Sequence, residues 1–169
     1  MEKPVVIFTQ SVDPGDVDQL LARAQEFFQA GDNVSSMKLI EEAANQGHVG
    51  SQLTLGIGYY FGMRVVQDYV LAREWFEKAA NQGDATAQSF LGSSYYFGHG
   101  VNRDYVLARE WYEKAANQGH APAQYSLGLM YYHGKGFISD KEKGCALLKK
   151  SAEQNVSHAI EEYNQNCSD

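Results

Sequence analysis

A 16-residue stretch that the chain repeats almost unchanged constrains its fold more than any other feature. DYVLAREWFEKAANQG occupies residues 68–83, and DYVLAREWYEKAANQG occupies residues 104–119, an interval of 36 residues. Two diverged copies follow the same register at 32–47 and 140–155. A period of this length is typical of arrays in which one supersecondary unit stacks on the next. We therefore predict an array of repeats.

Each copy has the pattern of an amphipathic helix with its own start and stop. Asp68 and Asp104 can cap the first amides, and Gly83 and Gly119 can adopt the left-handed conformation that ends a helix. Within the copy at 104–119, apolar residues fall on one helical face and charged residues on the other. The predicted buried face holds Leu107, Ala108, Trp111, Ala115 and Ala116, and the predicted solvated face holds Arg109, Glu110, Glu113 and Lys114.

Two further expectations follow from this helix. Trp75 and Trp111 should be major packing residues in the core between repeats, where truncating a large aromatic costs about 3–5 kcal/mol. On the solvated face a Glu stands four residues before a Lys, the favourable order for an ion pair worth about 0.2–0.5 kcal/mol. The predicted pairs are Glu74 with Lys78 and Glu110 with Lys114.

Composition indicates one elongated domain that does not bind nucleic acid. A chain of 169 residues, 44% of them hydrophobic, can bury a core. The net charge of −7 argues against a nucleic-acid partner, because phosphates demand clustered Lys and Arg. Residues 1–47 hold eight Asp or Glu against three Lys or Arg. The N-terminal end is therefore expected to be an acidic pole.

Targeting signals and cysteine content favour a cytoplasmic protein without membrane contact. The apolar run at 5–9 is far shorter than the hydrophobic region of a signal peptide, and no stretch approaches the ~20 apolar residues of a membrane span. Cys145 and Cys167 are too few, and too irregularly placed against the period, to form a disulfide framework. We expect a free Cys145 thiol on the solvated face of its helix, with no His spaced to activate it.

The helix patterns divide the chain into an arm and a solenoid. Residues 1–15 are predicted to be an N-terminal arm, either frayed or extended over the first helices. Residues 16–169 are predicted to be one solenoid, with helix pairs at 16–47, 48–83, 84–119 and 120–155 and a capping helix at 157–167.

The first helices of three pairs share a second pattern. VGSQLTLGIGYYFG, ATAQSFLGSSYYFG and APAQYSLGLMYYHG align at the same interval. A Gly inside a helix costs about 1 kcal/mol against Ala, so its recurrence predicts close approach of a neighbouring helix. The recurring residues are Gln52, Leu55, Gly56, Tyr59 and Tyr60, then Gln88, Leu91, Gly92, Tyr95 and Tyr96, then Gln124, Leu127, Gly128, Tyr131 and Tyr132.

Together, the two patterns resemble the Sel-1-like repeat (SLR), a relative of the tetratricopeptide repeat with a longer loop. AxAQxxLGxxYxxGxGV followed by DxxxAxxWxxKAAxQG matches at many fixed positions between residue 49 and about residue 155. Arg64 departs from the pattern, since Gly100 and Gly136 stand at this position in the next repeats, so the first loop need not follow the same path. The resemblance implies an all-α fold, a right-handed α/α superhelix of helix pairs.

The resemblance also implies function through binding. SLR proteins act as adaptors that assemble complexes, in bacterial signalling and envelope regulation and in eukaryotic protein quality control. Some bacterial members are immunity proteins that neutralise a cognate toxin. An acidic monomer would suit a basic toxin, and an adaptor role is the alternative. In such a superhelix the first helix of each pair lines the concave side, where a partner is usually held.

Partner-binding residues are expected where the repeats differ, because stacking explains the shared ones. Variable positions of the first helices join the second Tyr of each pair in an aromatic stripe, a composition enriched at protein interfaces. Tyr59, Tyr95 and Tyr131 are expected to be core, whereas core and interface both stay open for the phenylalanines. The predicted partner-binding residues are Ile57, Tyr60, Phe61, Phe90, Ser93, Tyr96, Phe97, Leu129, Tyr132 and His133.

Signs of catalysis are few. The sequence contains no HExxH, no Cys-His cluster with ligand spacing, no GxSxG and no GxxxxGK[ST], so we expect no metal, no cofactor and no enzymatic activity. His48 and His120 follow the NQG turns, and His99 is expected in a solvated Gly-rich turn. A hydrolase-like enzyme is the least favoured class. A cysteine-rich branch of the resembled family is linked to penicillin binding, but its paired cysteines are missing here.

Overall fold

The computed structural model describes residues 16–167, so the predicted arm at 1–15 lies outside the described residues. The described chain forms nine helices, each packed against the next, which confirms an all-α solenoid of helix pairs. None of these helices is long and apolar enough to cross a membrane. The helices are α1 (Val17–Gln29), α2 (Asn33–Asn45), α3 (Val49–Phe61), α4 (Tyr69–Asn81), α5 (Ala85–Phe97), α6 (Tyr105–Asn117), α7 (Ala121–His133), α8 (Lys141–Glu153) and α9 (Ser157–Asn166).

Capping residues set the helix boundaries. The Asp68 carboxylate accepts hydrogen bonds from the first amides of α4 at 2.9 and 3.0 Å, and Asp104 does the same for α6 at 2.9 and 3.1 Å. After these helices, Gly83 and Gly119 adopt φ values of 96° and 85°, a region that Gly reaches without strain. The predicted starts and stops of both helices are confirmed.

The recurring helix-interior Gly lies where the second helix of each pair approaches most closely. A Cβ at Gly92 would lie 2.6 Å from Cδ1 of Tyr112, and one at Gly128 would lie 3.0 Å from Cγ of Leu148. No real side chain tolerates the first distance, so the predicted close approach is confirmed. Phe76 of α4 lies against Gly56 as Tyr112 of α6 lies against Gly92, and the two rings are 0% and 2% exposed.

The buried face of α6 is centred one residue beyond the predicted one. Trp75 of α4 is buried, but Trp111 of α6 is only half-buried, at the edge of the core. Tyr112 fills the interior instead, because it is the residue that faces Gly92. Trp111 still packs against the core of the preceding repeat, but the prediction that its ring is buried there is wrong.

The Glu–Lys ion pairs predicted on the solvated faces are also wrong. Lys78 Nζ lies 3.7 Å from the centroid of the Trp75 ring, a cation–π geometry. The guanidinium of Arg73 pairs with Glu77 at 2.9 Å on the same helix. In α6 the corresponding contacts are Lys114 over the Trp111 ring at 3.6 Å and Arg109 with Glu113 at 3.8 Å. Neither lysine therefore pairs with the glutamate four residues before it, Glu74 or Glu110.

A buried glutamine joins each repeat to the one before it. Gln88 Nε2 donates to the Ala80 carbonyl at 3.2 Å, and Gln88 Oε1 accepts from Gln118 Nε2 at 2.8 Å. Gln118 Nε2 also donates to the Gly83 carbonyl at 3.0 Å. These bonds add side-chain donors to carbonyls at the end of α4 and just after it, where the Ala80 carbonyl also accepts from the Gly83 amide at 3.0 Å. Gln52 with Gln82, and Gln124 with Gln154, form the same pair in the neighbouring repeats.

The two cysteines are joined, against the sequence-based expectation. Cys145 in α8 and Cys167 after α9 form a disulfide with Cα atoms 5.5 Å apart. Their irregular spacing is no obstacle, because α9 packs back on α8 and returns the chain to the same place 22 residues later. The predicted free thiol at Cys145 is therefore wrong, and the capping helix is covalently attached to the last repeat.

Histidine caps two helices at the position where Asp84 caps α5. His120 Nδ1 accepts from the Ala123 amide at 3.3 Å, whereas the Asp84 carboxylate accepts from Ala87 at 2.7 Å. Burial lowers the pKa of His120, and the nearby Asp84 raises it by less. A lowered folded-state pKa favours the neutral ring, so the contribution of His120 to stability is complete above the unfolded pKa of about 6.5. It is lost as the pH falls from there through the folded pKa.

Replacing His120 by asparagine is expected to reduce this acid sensitivity. Asn is a comparable cap but does not titrate, so the wild type should lose roughly 1 kcal/mol more than His120→Asn between pH 7 and pH 5. Urea denaturation at the two pH values measures the difference. The exposed His158→Asn serves as the control and should behave as the wild type does. Equal pH dependence in wild type and His120→Asn would contradict the assignment.

Candidate functional site

Ring side chains from two neighbouring repeats form one continuous cluster, which we term the aromatic patch. The patch joins the C-terminal halves of α3 and α5 to the loop after α5. Phe61 and Phe97 are 56% and 60% exposed, and the other members are half-buried. The aromatic patch consists of Tyr60, Phe61, Phe90, Phe97 and His99.

Tyr60 is the centre of the patch. Its ring centroid lies 4.9 Å from that of Phe61 and 5.5 Å from that of Phe90. Its hydroxyl is hydrogen-bonded to His99 Nδ1 at 2.9 Å, across the boundary between repeats. Phe97 extends the cluster by packing against the His99 ring with centroids 5.6 Å apart. The two exposed phenylalanines therefore belong to one surface.

The patch rests on the core through Phe90. The Phe90 ring stacks on the fully buried Phe76 with centroids 4.6 Å apart and an interplanar angle of 3°. This contact resolves the alternatives left open for the phenylalanines: Phe90 is largely a packing residue, whereas Phe61 and Phe97 present their rings to solvent. Ser93 is likewise engaged, since its Oγ lies 2.9 Å from the Tyr112 hydroxyl.

A glycine positions His99. Gly98 ends α5 in the left-handed conformation, and a Cβ at Gly100 would collide with the backbone of Tyr69, so only glycine lets the loop lie against the start of α4. His99 consequently stacks on Tyr69 with centroids 4.4 Å apart. The solvated turn expected for His99 is wrong. Met63 and Lys135 hold the same position in the other repeats, so the period carried no signal for this ring.

The phenol groups around the patch are neutral at physiological pH. Burial, with a smaller contribution from Tyr69, raises the pKa of Tyr60 above its usual value. Burial also raises the pKa of Tyr96, and that of the Tyr112 hydroxyl beneath the patch to about 12. The patch therefore offers mainly ring faces to a partner, since its one hydroxyl, that of Tyr60, is bonded to His99.

The remaining predicted residues divide between the patch, the core and a separate group. The Tyr96 ring contacts Phe97 edge to face at 4.8 Å, and Ile57 packs on the core under the patch. Tyr132 contacts His133 with centroids 5.1 Å apart. Among the described residues, no ring contact connects this third-repeat pair to the patch, and Leu129 is half-buried beside it on α7. The continuous surface is thus built by two repeats.

The described residues contain no group of three or more His, Cys, Asp or Glu that could hold a metal ion. The Tyr60 hydroxyl and His99 Nδ1 of the patch are engaged with each other. The arrangement is that of a contact surface.

A family model described as the Sel1 repeat matches the chain at residues 28–48, 51–84, 85–120 and 121–156. The last three segments cover the helix pairs α3–α4, α5–α6 and α7–α8, and the first covers α2 and the end of α1. None of the curated proteins compared with the chain matches it.

Solved structures show the same architecture. A protective antigen of uropathogenic Escherichia coli strains with an SLR fold is 33% identical, with a TM-score of 0.81 over 86% of this chain. A Sel1 repeat protein from Oxalobacter formigenes is 29% identical, with a TM-score of 0.78 over 89% of this chain. Cysteine rich protein B of Helicobacter pylori, at 22% identity over 73% of this chain and 94% of its own, shares the fold with a TM-score of 0.56. This chain spans 32% of the first of these proteins and 63% of the second.

Proposed function

Because the chain belongs to the Sel1 repeat family, whose members are generally protein-interaction modules, we propose that it is a non-catalytic protein-binding module that holds its partner at the aromatic patch. By the resemblance to SLR proteins, the first helix of each pair is expected to line the concave side, and four of the five patch residues lie on two such helices, α3 and α5. The proposed partner-bound form contains one copy of this chain.

The exposure of Phe61 and Phe97 is the observation that carries the proposal. Two large rings more than half exposed, one period apart, and held in place by half-buried neighbours form a preorganised apolar surface. Aromatic residues supported in this way dominate the energetics of protein interfaces. The rings contribute little to the solenoid itself, since the core beneath them is filled by Phe76 and Phe90.

Removing both exposed rings is expected to abolish capture of the partner without loss of fold. In the double variant Phe61→Ala, Phe97→Ala, two interface anchors disappear, which should weaken affinity by roughly 10- to 100-fold, about 1.4–2.8 kcal/mol for the pair. Quantitative pull-down with the immobilised full chain measures retention, and circular dichroism checks the fold.

Val70→Ala with Val106→Ala is the matched control. These valines are also one period apart, and they are 49% and 46% exposed on the second helices. A protein retained by wild type and by the valine variant, but lost from the phenylalanine variant, supports the patch. Equal retention by all three proteins would place the interface elsewhere.

The most concrete form of this proposal is an immunity protein that neutralises a basic toxin. The net charge of −7 supports it, because an acidic surface speeds encounter with a basic partner. The adaptor role in bacterial signalling or complex assembly is the alternative. The same pull-down separates them: an immunity protein retains one basic protein whose association slows as salt rises, whereas an adaptor retains several proteins.

A cytoplasmic location stays a prediction from the sequence. The disulfide between Cys145 and Cys167 weighs against it, because structural disulfides persist mainly in oxidising compartments. An immunity or adaptor role is compatible with either compartment.

A further inference from the structure

A cavity lies at the N-terminal end of the described residues and uses none of the aromatic patch. Helices α1, α2 and α3 and the loop after α3 line this cavity, which is open to solvent on one side and holds about 520 Å³, a size typical of small-molecule sites. Its apolar wall is formed by Leu21, Ala24, Phe28 and Ile40. The cavity is therefore suited to an aliphatic or aromatic body.

One guanidinium group gives this cavity its charge. Arg64 lines the cavity, and its Cζ lies 4.2 Å from the centroid of the Phe28 ring. Among the described residues that line the cavity there is no Asp or Glu, and within the described range Arg64 forms no ion pair. A guanidinium placed over a ring in this way matches the planar geometry of a carboxylate.

The backbone of Arg64 points to a role for its side chain. Its φ of 65° is in the left-handed region that few residues other than glycine adopt. Gly100 and Gly136 hold this position in the next two repeats with φ values of 69° and 85°, so the first loop keeps the same conformation here, against the expectation from the sequence. Strain retained where glycine would relieve it is typical of functional positions.

His48 provides a second donor. Its ring lines the same cavity, and its Nδ1 accepts a hydrogen bond from the Ser51 amide at 3.1 Å. Because Nδ1 is an acceptor, the proton of the neutral imidazole is on Nε2. Within the described residues this Nε2–H has no hydrogen-bond partner. The cavity thus combines two N–H donors with an apolar wall.

We propose that this cavity binds an organic acid, a carboxylate attached to an aliphatic or aromatic body. The carboxylate pairs with the Arg64 guanidinium and accepts from His48 Nε2–H, and the body packs against Leu21, Phe28 and Ile40. A free acid and the C-terminal residue of a peptide carry the same two groups. The assignment stands whether or not the aromatic patch holds a protein.

The test uses 3-phenylpropionate and the full chain, followed by NMR of the Ser51 and Thr54 amides. We expect saturable shifts with the acid and at least tenfold weaker binding of the neutral 3-phenylpropionamide. Arg64→Gly, which introduces the residue of the next two repeats, should retain the fold and lower the affinity for 3-phenylpropionate at least tenfold. Arg103→Ala, which removes a loop guanidinium outside the cavity, should leave the affinity unchanged.

A further arm identifies the source of the acid. An acetylated peptide ending in phenylalanine that binds more tightly than 3-phenylpropionate indicates a peptide C-terminus, and one that binds more weakly indicates a free acid. The proposal is overturned if neither acid shifts these amides at millimolar concentration, or if Arg64→Gly binds as the wild type does.

Discussion

Phe76→Ala is expected to destabilise the protein by about 3–5 kcal/mol, the usual cost of truncating a buried aromatic. Phe76 is 0% exposed, lies against Gly56 on one side and stacks on Phe90 on the other. The surrounding helices relax only partially around such a truncation, so a cavity remains and adds to the cost. Urea denaturation followed by circular dichroism measures the loss.

Two matched variants make this result interpretable. Phe76→Leu introduces the residue that the last repeat carries at this position, Leu148, and should cost clearly less than alanine. Phe61→Ala removes an exposed ring of the same type and should change stability by no more than about 0.5 kcal/mol. A midpoint for Phe76→Ala equal to that of Phe61→Ala would show that the ring does not hold the repeats together.

Replacing both cysteines by serine is expected to cost about 3 kcal/mol. The disulfide between Cys145 and Cys167 closes a loop across 22 residues, and the chain-entropy relation assigns a loop of this size a value near 3 kcal/mol. The effect should be concentrated in α9, which contacts only the last repeat and lacks a side-chain N-cap at Val156. Hydrogen exchange of the α9 amides measures local opening, and urea denaturation measures the global effect.

Reductant supplies the control for the disulfide. Wild type treated with dithiothreitol should open α9 as readily as the double serine variant, and the variant itself should not respond. If reduction leaves α9 exchange in the wild type unchanged, packing alone holds the capping helix, and the bond contributes nothing to its stability.

Most of the fold could be predicted from the sequence because the same structural unit recurs several times along the chain. Asp68 and Asp104, one period apart, mark two helix starts with the same chemistry, and Gly92 marks a close approach that its copies repeat. A signal that recurs at a fixed interval is separated from chance by the recurrence alone. The helix pairs, their caps and the close approach at the helix-interior glycines could be predicted from this recurrence.

Features that occur once could not be predicted in this way. His99 and Arg64 each stand where the other repeats carry unrelated residues, so the repeat pattern predicts nothing about them. Their environments depend on how one repeat packs on the next. The Cys145–Cys167 contact depends on the direction in which α9 returns, which no local pattern specifies. The buried aromatic of α6 is Tyr112 and not Trp111. Adjacent residues of a helix are about 100° apart around its axis, and the pattern of apolar residues does not distinguish which of two neighbouring aromatics faces the core.

The glutamine bonds between repeats also bear on how such a chain changes length. The junction at Gln88 uses two carbonyls from one unit and two side-chain amides from the next, and the same positions recur only after 36 residues. Gain or loss of a whole unit re-forms every junction, whereas an insertion of any other size within a helix leaves a buried amide unmatched. Growth by duplication is thus the route that the architecture tolerates, and the near-identity of 68–83 and 104–119 is the trace that such an event leaves.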